Sequence, residues 1–429
     1  MGFSLGGIAL LSATAGAFLA MTMASTPLMQ RKLSAAEAAV FSQGDLSSGS
    51  TLRLPGLTRP VNILVLGAKV LTSDLSDSSS QNQQDLGYHA LVNSFDGLTD
   101  TMLLLRFNPE TKKVVLLSIP RDTRVEVPGH GVNKVNAANA LGGPALSART
   151  VSELLGGIGV DRYITINVQG VQALIDALGG VTVYVPKDMK YQDDSQHLYV
   201  NLKAGKQHLN GDQALQLLRF RNDELGDIGR VQRQQMVMRA LSEQALNPAT
   251  LARLPQILSV IKSHIDTNLT VEELVALVGF ATSIDRSNMQ MLIVPGEYGD
   301  ISAYGTSYWI PHPDRIQALS TQFFNLAAAV PLADAPNPTN LRITVEDTTR
   351  QATPATIVSR LGQAGFTNSV VIDPTGEPLA TTRIVAQQGD VKSAEAVRSL
   401  LGVGDIRVEA TGDLESDITI QLGQDWLQR

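Results

Sequence analysis

Apolar residues run almost unbroken over positions 3–24, and residues 1–30 contain no Asp, Glu, Lys or Arg. A membrane helix needs about 20 apolar residues, so this stretch predicts a signal anchor. A cleaved signal peptide competes with that reading, because Ala20, Ala24 and Ser25 are small enough for a cleavage site. The basic residues Arg31 and Lys32 follow the run, which by charge alone would leave the body in the cytoplasm. Residues 31–60 then shift to Ser, Gly, Gln and Pro, the make-up of a tether.

From Val61 the apolar spacing changes. Residues 61–67, 101–107 and 113–119 are runs of strand length, and Asn108-Pro109-Glu110-Thr111 suits a hairpin turn between the last two. Strand patterns at 163–168 and 181–185 flank a helical stretch, 170–178, closed by Gly179-Gly180. Helical spacing covers 212–220 and 228–244, where Ile228, Val231, Val237, Met238 and Leu241 recur on one side. Helices continue to about Ile284, with breaks near Pro248, Pro255 and Thr267. Pro331, Pro336 and Pro338 mark a second linker, 330–339. Beyond it come strands at 341–345, 369–372, 382–386, 405–409 and 417–422, with helices at 355–364 and 393–401. The alternation predicts an anchor (1–30), a linker (31–60), a layered α/β domain (61–329), a linker (330–339) and a small α/β domain (340–429).

Composition narrows the chemistry. With 43% hydrophobic and 17% charged residues and a mean hydropathy of +0.04, the 429-residue chain is neither disordered nor multi-spanning. A net charge of −7 argues against bulk nucleic-acid binding, so any anion site is local. The absence of cysteine removes thiolate nucleophiles and iron–sulfur clusters. No GxxxxGK[ST], HExxH or GxSxG motif occurs, and the six histidines (89, 130, 197, 208, 264, 312) are scattered. Ser259 and Lys262 match SxxK by letter but lie in a helical stretch without its companion motifs.

The informative residues are arginines. Arg219, Arg221, Arg230 and Arg233 fall within a stretch that contains no lysine. Guanidinium forks hold phosphate or carboxylate bidentately, where an ammonium is a point charge. Arg219 and Arg221 share a direction if the backbone is extended, and Arg230 and Arg233 share a helix face. The pairs could meet one anion at a helix N-terminus, or form a surface network with Asp223, Glu224 and Asp227. A second cluster, Pro120-Arg121-Asp122-Thr123-Arg124, ends a sheet strand, where open α/β sheets place ligands. Asp100, before the preceding strand, reads either as a cap or as a hard-oxygen ligand for Mg²⁺.

These segments resemble the LytR-CpsA-Psr family of cell-envelope phosphotransferases. The likeness runs through Thr99-Asp100-Thr101-Met102, Ser118-Ile119-Pro120-Arg121-Asp122-Thr123, Val132-Asn133-Lys134-Val135-Asn136-Ala137-Ala138, Asp176-Ala177-Leu178-Gly179-Gly180-Val181, and Arg219-Phe220-Arg221 on to Arg233-Gln234-Gln235. Residues 340–429 are similar to the smaller C-terminal domain found in part of the family.

The resemblance implies a layered α/β/α catalytic domain with a central mixed sheet, hung outside the plasma membrane from one N-terminal helix. Its members move a glycopolymer from a polyprenyl-pyrophosphate lipid to peptidoglycan through a phosphodiester, releasing polyprenyl phosphate; hydrolysis of the lipid pyrophosphate is a side reaction. By the same likeness Arg121, Arg219 and Arg221 hold the pyrophosphate, Arg230, Arg233 and Gln234 complete or order that shell, Lys134 and Asn136 belong to it, and Asp100 binds Mg²⁺. Asp227 orients an arginine or accepts the incoming hydroxyl's proton. The prenyl tail would need an apolar pocket, expected near Leu174 and Leu218. Two departures stand out: Lys69 occupies the neighbourhood of the family's acidic residue, leaving Asp74, Asp77 or Asp85 as substitutes, and Ala137 replaces its histidine. The other readings are a noncatalytic binder of lipid pyrophosphate or anionic polymer, and a membrane-bound transcriptional regulator, which the acidic balance opposes.

Overall fold

The computed structural model describes residues 28, 31–42, 44–50, 53–68, 95, 97–193, 198–220, 226–245, 247, 249–285, 288–326, 339, 341–351, 354–374, 376–387, 389–409, 412–413 and 416–428. A six-stranded mixed sheet organises the larger part. Its order is Ile265–Thr267, Arg162–Ile166, Val61–Ala68, Thr99–Asn108, Lys113–Ser118 and Met289–Ile293. The first two strands are antiparallel to each other, the pair Val61–Ala68 and Arg162–Ile166 is parallel, the next two pairings are antiparallel, and Met289–Ile293 returns parallel to Lys113–Ser118. The expected hairpin forms: Asn108 Oδ1 accepts the amides of Glu110 and Thr111, and Lys112 takes a left-handed φ of 53°.

Alternation along the strands sends side chains to two cores. On one face Leu64, Leu66, Met102, Leu104 and Leu117 pack with Ala145, Ala148 and Val151 of helix Ala137–Leu154 and Ile316, Leu319 and Phe323 of helix Pro313–Phe324. On the other, Ile63 and Val61 meet Leu277 of helix Val271–Ala281, and Val114 and Leu116 meet Met291, Phe280 and Met238. The layers are thus α/β/α. A buried ion pair, Arg162 Nη2 to Glu273 Oε1 at 2.6 Å, ties helix Val271–Ala281 to the sheet.

One expectation needs correction, and two elements go beyond the sequence reading. Residues 31–60 are not a bare tether: Ser34 and Glu37 form a reciprocal cap on helix Ala35–Ala38, Ser47–Ser50 pairs with Arg53–Leu57, and Phe41 and Leu46 are buried. Arg162 also donates to the carbonyls of Ser42 and Gly44, and Arg59 pairs with Asp161 at 2.8 Å. Helix Ala137–Leu154, which the sequence reading passes over, is rich in Ala, Gly and Ser and kinks at Gly142-Gly143 before Pro144. Strand Val181–Val185 lies outside the main sheet, paired with Gly205–Leu209 next to a second hairpin of Met189–Asp193 with Leu198–Leu202. Among the described residues no helix is long and apolar enough to cross a membrane; the expected anchor apart from Leu28, nearly all of the 330–339 linker, Lys69, Asp74, Asp77 and Asp85 lie outside them.

The last part builds a five-stranded sheet in the order Ser369–Ile372, Ile343–Asp347, Ile418–Leu422, Arg383–Ala386, Asp405–Arg407, with helices Pro354–Gln363 and Val391–Leu401 covering its core. It docks on the first sheet's edge, where Met291 N donates to Val408 O at 2.9 Å, and through Arg315 to Asp417 at 2.6 Å.

Candidate functional site

Strand register builds the site. In the antiparallel pair, Leu103 faces Ser118, so three residues back along one strand and three forward along the other bring Asp100 level with Arg121. Arg121 Nη1 donates to Asp100 Oδ1 at 2.5 Å and its Nε to Asp122 Oδ2 at 3.3 Å. Lys134 Nζ reaches Asp122 Oδ1 at 2.9 Å, because hairpin Arg124–Val127 with Gly131–Lys134 folds the chain back over the strand end. The turn is fixed by backbone bonds from Thr123 N to Pro120 O, Val135 N to Thr123 O and Asn136 N to Arg121 O. Asn136 is buried at the head of helix Ala137–Leu154, its side chain making no cap bond to it.

One cavity collects these groups. It is lined by Asp100, Arg121, Asp122 and Gln234 at its polar end and by Met102, Leu103, Ile119, Met238 and Ile293 beyond. Gln235 Nε2 donates to Ser118 Oγ at 2.8 Å and so holds helix Gly226–Ala245 against the strand end. Tyr298 and Trp309 close the wall edge to face, with ring centroids 5.1 Å apart. Trp309 is pinned by N–H bonds to Asp122 O and, from its indole, to Val294 O. The apolar end lies between the sheet and helix Gly226–Ala245; Leu174 and Leu218, where a lipid pocket was expected, pack in two other cores.

The candidate residues divide. Asp100, Arg121 and Gln234 meet in the cavity, with Lys134 and Asn136 attached through Asp122 and the backbone of Arg121. Neither Arg219 nor Arg233 lines it. Arg219 is the last residue of helix Gly211–Arg219, so the extended backbone on which it would share a direction with Arg221 is not met at Arg219. Arg233 is 4% exposed, donates Nη2 to Phe220 O at 2.5 Å and stacks 5.5 Å from that ring's centroid. It therefore clamps the chain leaving Arg219 instead of facing the cavity. Arg221 lies outside the described residues; Asp227 and Arg230 sit on helix Gly226–Ala245, their side chains not among those described.

Asp122, Tyr308 and Trp309 went unselected in the sequence. Asp122 had a signal, an acid beside Arg121 at a strand end. Tyr308, whose ring centroid lies 5.7 Å from Lys134 Nζ, and Trp309 arrive from nearly two hundred residues away and had none. Asp100, a hard carboxylate paired with Arg121, is the residue that would hold magnesium together with a phosphate ligand.

Comparison with known proteins agrees with the geometry. The LytR_cpsA_psr family model matches residues 29–325, and a second, described as LytR cell envelope-related transcriptional attenuator, matches 340–426. A polyisoprenyl-teichoic acid–peptidoglycan teichoic acid transferase, TagU of Oceanobacillus iheyensis, is 33% identical over 270 residues, 61% of this chain and 74% of its own. Regulatory protein MsrR of Staphylococcus aureus is 37% identical over 173 residues, 40% of this chain and 51% of MsrR, so the match spans about half of that relative. Among solved structures, Bacillus subtilis TagV superposes with a TM-score of 0.51 at 25% identity, covering 63% of this chain and 98% of TagV. A Streptococcus agalactiae protein gives 0.52 at 26%, covering 63% and 90%. Since the first family model covers well over half of its residues, this chain belongs to the LytR_cpsA_psr family.

Proposed function

We propose that this chain transfers a glycopolymer from a polyprenyl-pyrophosphate carrier to peptidoglycan through a phosphodiester bond. The observation that carries the reading is the register-built meeting of Asp100, Arg121 and Asp122 at the mouth of a cavity whose inner wall is apolar. A lipid pyrophosphate has the same two-part chemistry. The relatives support it by name: TagU and TagV are called teichoic acid transferases acting on peptidoglycan.

The acceptor sugar hydroxyl would attack the phosphorus beside the polymer. Its oxygen bonds to that phosphorus, the bond from phosphorus to the bridging oxygen breaks, polyprenyl phosphate leaves and the hydroxyl proton is lost. Catalysis of this kind is positioning plus charge neutralisation. Two carboxylates fix the plane of the Arg121 guanidinium, and Lys134 holds the second of them. Asp100, Asp122, Arg121 and Lys134 sum to zero charge, so a diphosphate needs further cations. In this reading Arg219, Arg221 and Arg230 would provide them, with Gln234 donating and Arg233 ordering the segment through Phe220. Magnesium on Asp100 would add charge in the same sense by offsetting phosphate oxygens. Asp227, in the first turn of its helix, would orient an arginine or take the proton. The proposed location is the outer side of the plasma membrane, anchored through residues 1–30.

Mass spectrometry of protein purified from membranes tests the donor. Bound polyprenyl phosphate or pyrophosphate is expected, and its loss in a Met238→Lys variant, which puts charge in the apolar wall. Lipid-free protein from polyprenol-rich membranes contradicts the reading.

A further inference from the structure

A second cavity lies on the other side of helix Gly226–Ala245. Gln235 borders the Arg121 cavity and also lines this larger one, about 1100 Å³, between the two domains. That exceeds the roughly 300–1,000 Å³ of ordinary small-molecule sites and has room for several sugar units. One wall is the helix, with Arg233 and Arg239; the facing wall is the small domain, with Arg342 and Arg383. Gln232 Nε2 spans the gap to Gly412 O at 3.1 Å, which fixes the width.

Most charges there are answered. Arg239 meets Glu243 at 3.4 Å and Glu409 at 3.2 Å, and Arg342 lies 3.8 Å from Asp413. Arg383 differs: it is half-buried and makes no ion pair or hydrogen bond through its guanidinium among the described residues. Burial first, then the charge of Arg239 and more weakly of Arg407, pulls its pKa below the usual arginine range, against Glu409 and Glu377. Taking a guanidinium from water without a partner is unfavourable. An unpaired fork beside a second arginine is the arrangement that an oxyanion completes.

We propose that the interdomain cavity binds the acidic saccharide chain of the donor glycopolymer, with Arg383 taking its phosphate or carboxylate groups. The inference rests on the transfer reading and assigns the small domain its part in it: gripping sugar units beyond the pyrophosphate, which continue from the first cavity into the second past Gln235.

The test is fluorescence anisotropy of full-length protein with labelled glycerol-phosphate hexamer, hexagalacturonate, neutral maltohexaose and a soluble peptidoglycan fragment. Both acidic hexamers should bind and maltohexaose should not. Arg383→Gln should weaken the acidic hexamers by at least about tenfold, with Arg383→Lys intermediate because charge stays and the fork is lost. Melting temperature should hold or rise in Arg383→Gln, since no partner is lost; a purely structural arginine would lower it. Acidic hexamers that bind Arg383→Gln as well as wild type, or do not bind wild type, overturn the proposal. A peptidoglycan fragment that alone depends on Arg383 overturns it too, giving the cavity to the acceptor. The hexamers lack pyrophosphate, so Arg121→Ala should still bind them. Hexamer binding lost in Arg383→Gln while Arg121→Ala keeps full turnover would sink the catalytic reading and leave this one.

Discussion

Arg121 and Glu346 show how much one side chain's surroundings decide. Arg121 sits between Asp100 and Asp122 with 17% of its side chain exposed, so its fork is aimed before any ligand arrives. Glu346, on the interior strand Ile343–Asp347 of the small domain, is fully buried. Its Oε2 accepts from Gln421 Nε2 at 3.0 Å, and its Oε1 has no hydrogen-bond partner among the described residues. Burial pushes its carboxyl up to about 7; the Gln421 bond works against the rise and the Asp413 charge adds to it. The folded state therefore keeps a proton that the unfolded chain, near 4.5, releases. Stability from this group is complete below about pH 4.5, falls as pH rises towards 7 and is flat above, a change of about 3 kcal/mol. Hydrogen exchange of strand Ile418–Leu422 should quicken between pH 5 and 7.5 beyond its intrinsic increase, and Glu346→Gln should remove that excess. An equal excess in the variant assigns the pH dependence elsewhere.

Elements carry the next level of constraint. Helix Gly211–Arg219 crosses helix Val168–Leu178 so closely that a Cβ on Gly211 would strike the Gln172 carbonyl oxygen. Backbone cannot rotate away, so Gly211→Ala should destabilise by about 1–3 kcal/mol. Thermal melts should show a drop of several degrees; an unchanged midpoint contradicts this packing. Helix boundaries with strong local signals were legible beforehand: Asn167 and Asn210 cap their helices through side-chain bonds, and Gly179 closes one at φ 89°. The register that pairs Asp100 with Arg121 was not, because each strand's pattern is set by burial and neither names its partner residue. Helix Ala137–Leu154 was missed for the opposite reason: its buried stripe of Ala138, Ala145 and Ala148 is chosen for close approach and gives weak periodicity. Arg233 was misplaced because spacing shows which helix face a residue shares but not that a carbonyl thirteen residues back captures its guanidinium.

At the scale of the molecule, a chain of net charge −7 sets Arg233, Arg239, Arg342 and Arg383 around the cavity between its two domains. The first domain's cavity sets Asp100, Arg121 and Asp122 beside an apolar wall, and the second domain's Arg383, across the gap, makes no ion pair among the described residues. This division suits a substrate with a greasy end, a diphosphate and an acidic polymer. The small domain docks beside strand Asp405–Arg407, Val408 against Met291. The central claim is that the oriented Arg121 fork stabilises a diphosphate during phosphoryl transfer. Its most direct test is turnover of wild type and Arg121→Ala, at matched folding, with a polyprenyl-pyrophosphate-linked glycan and a peptidoglycan acceptor, counting phosphodiester-linked product. The account predicts a loss of at least about 100-fold in kcat, the scale of removing one charge-stabilising donor. Turnover within about twofold of wild type would contradict it.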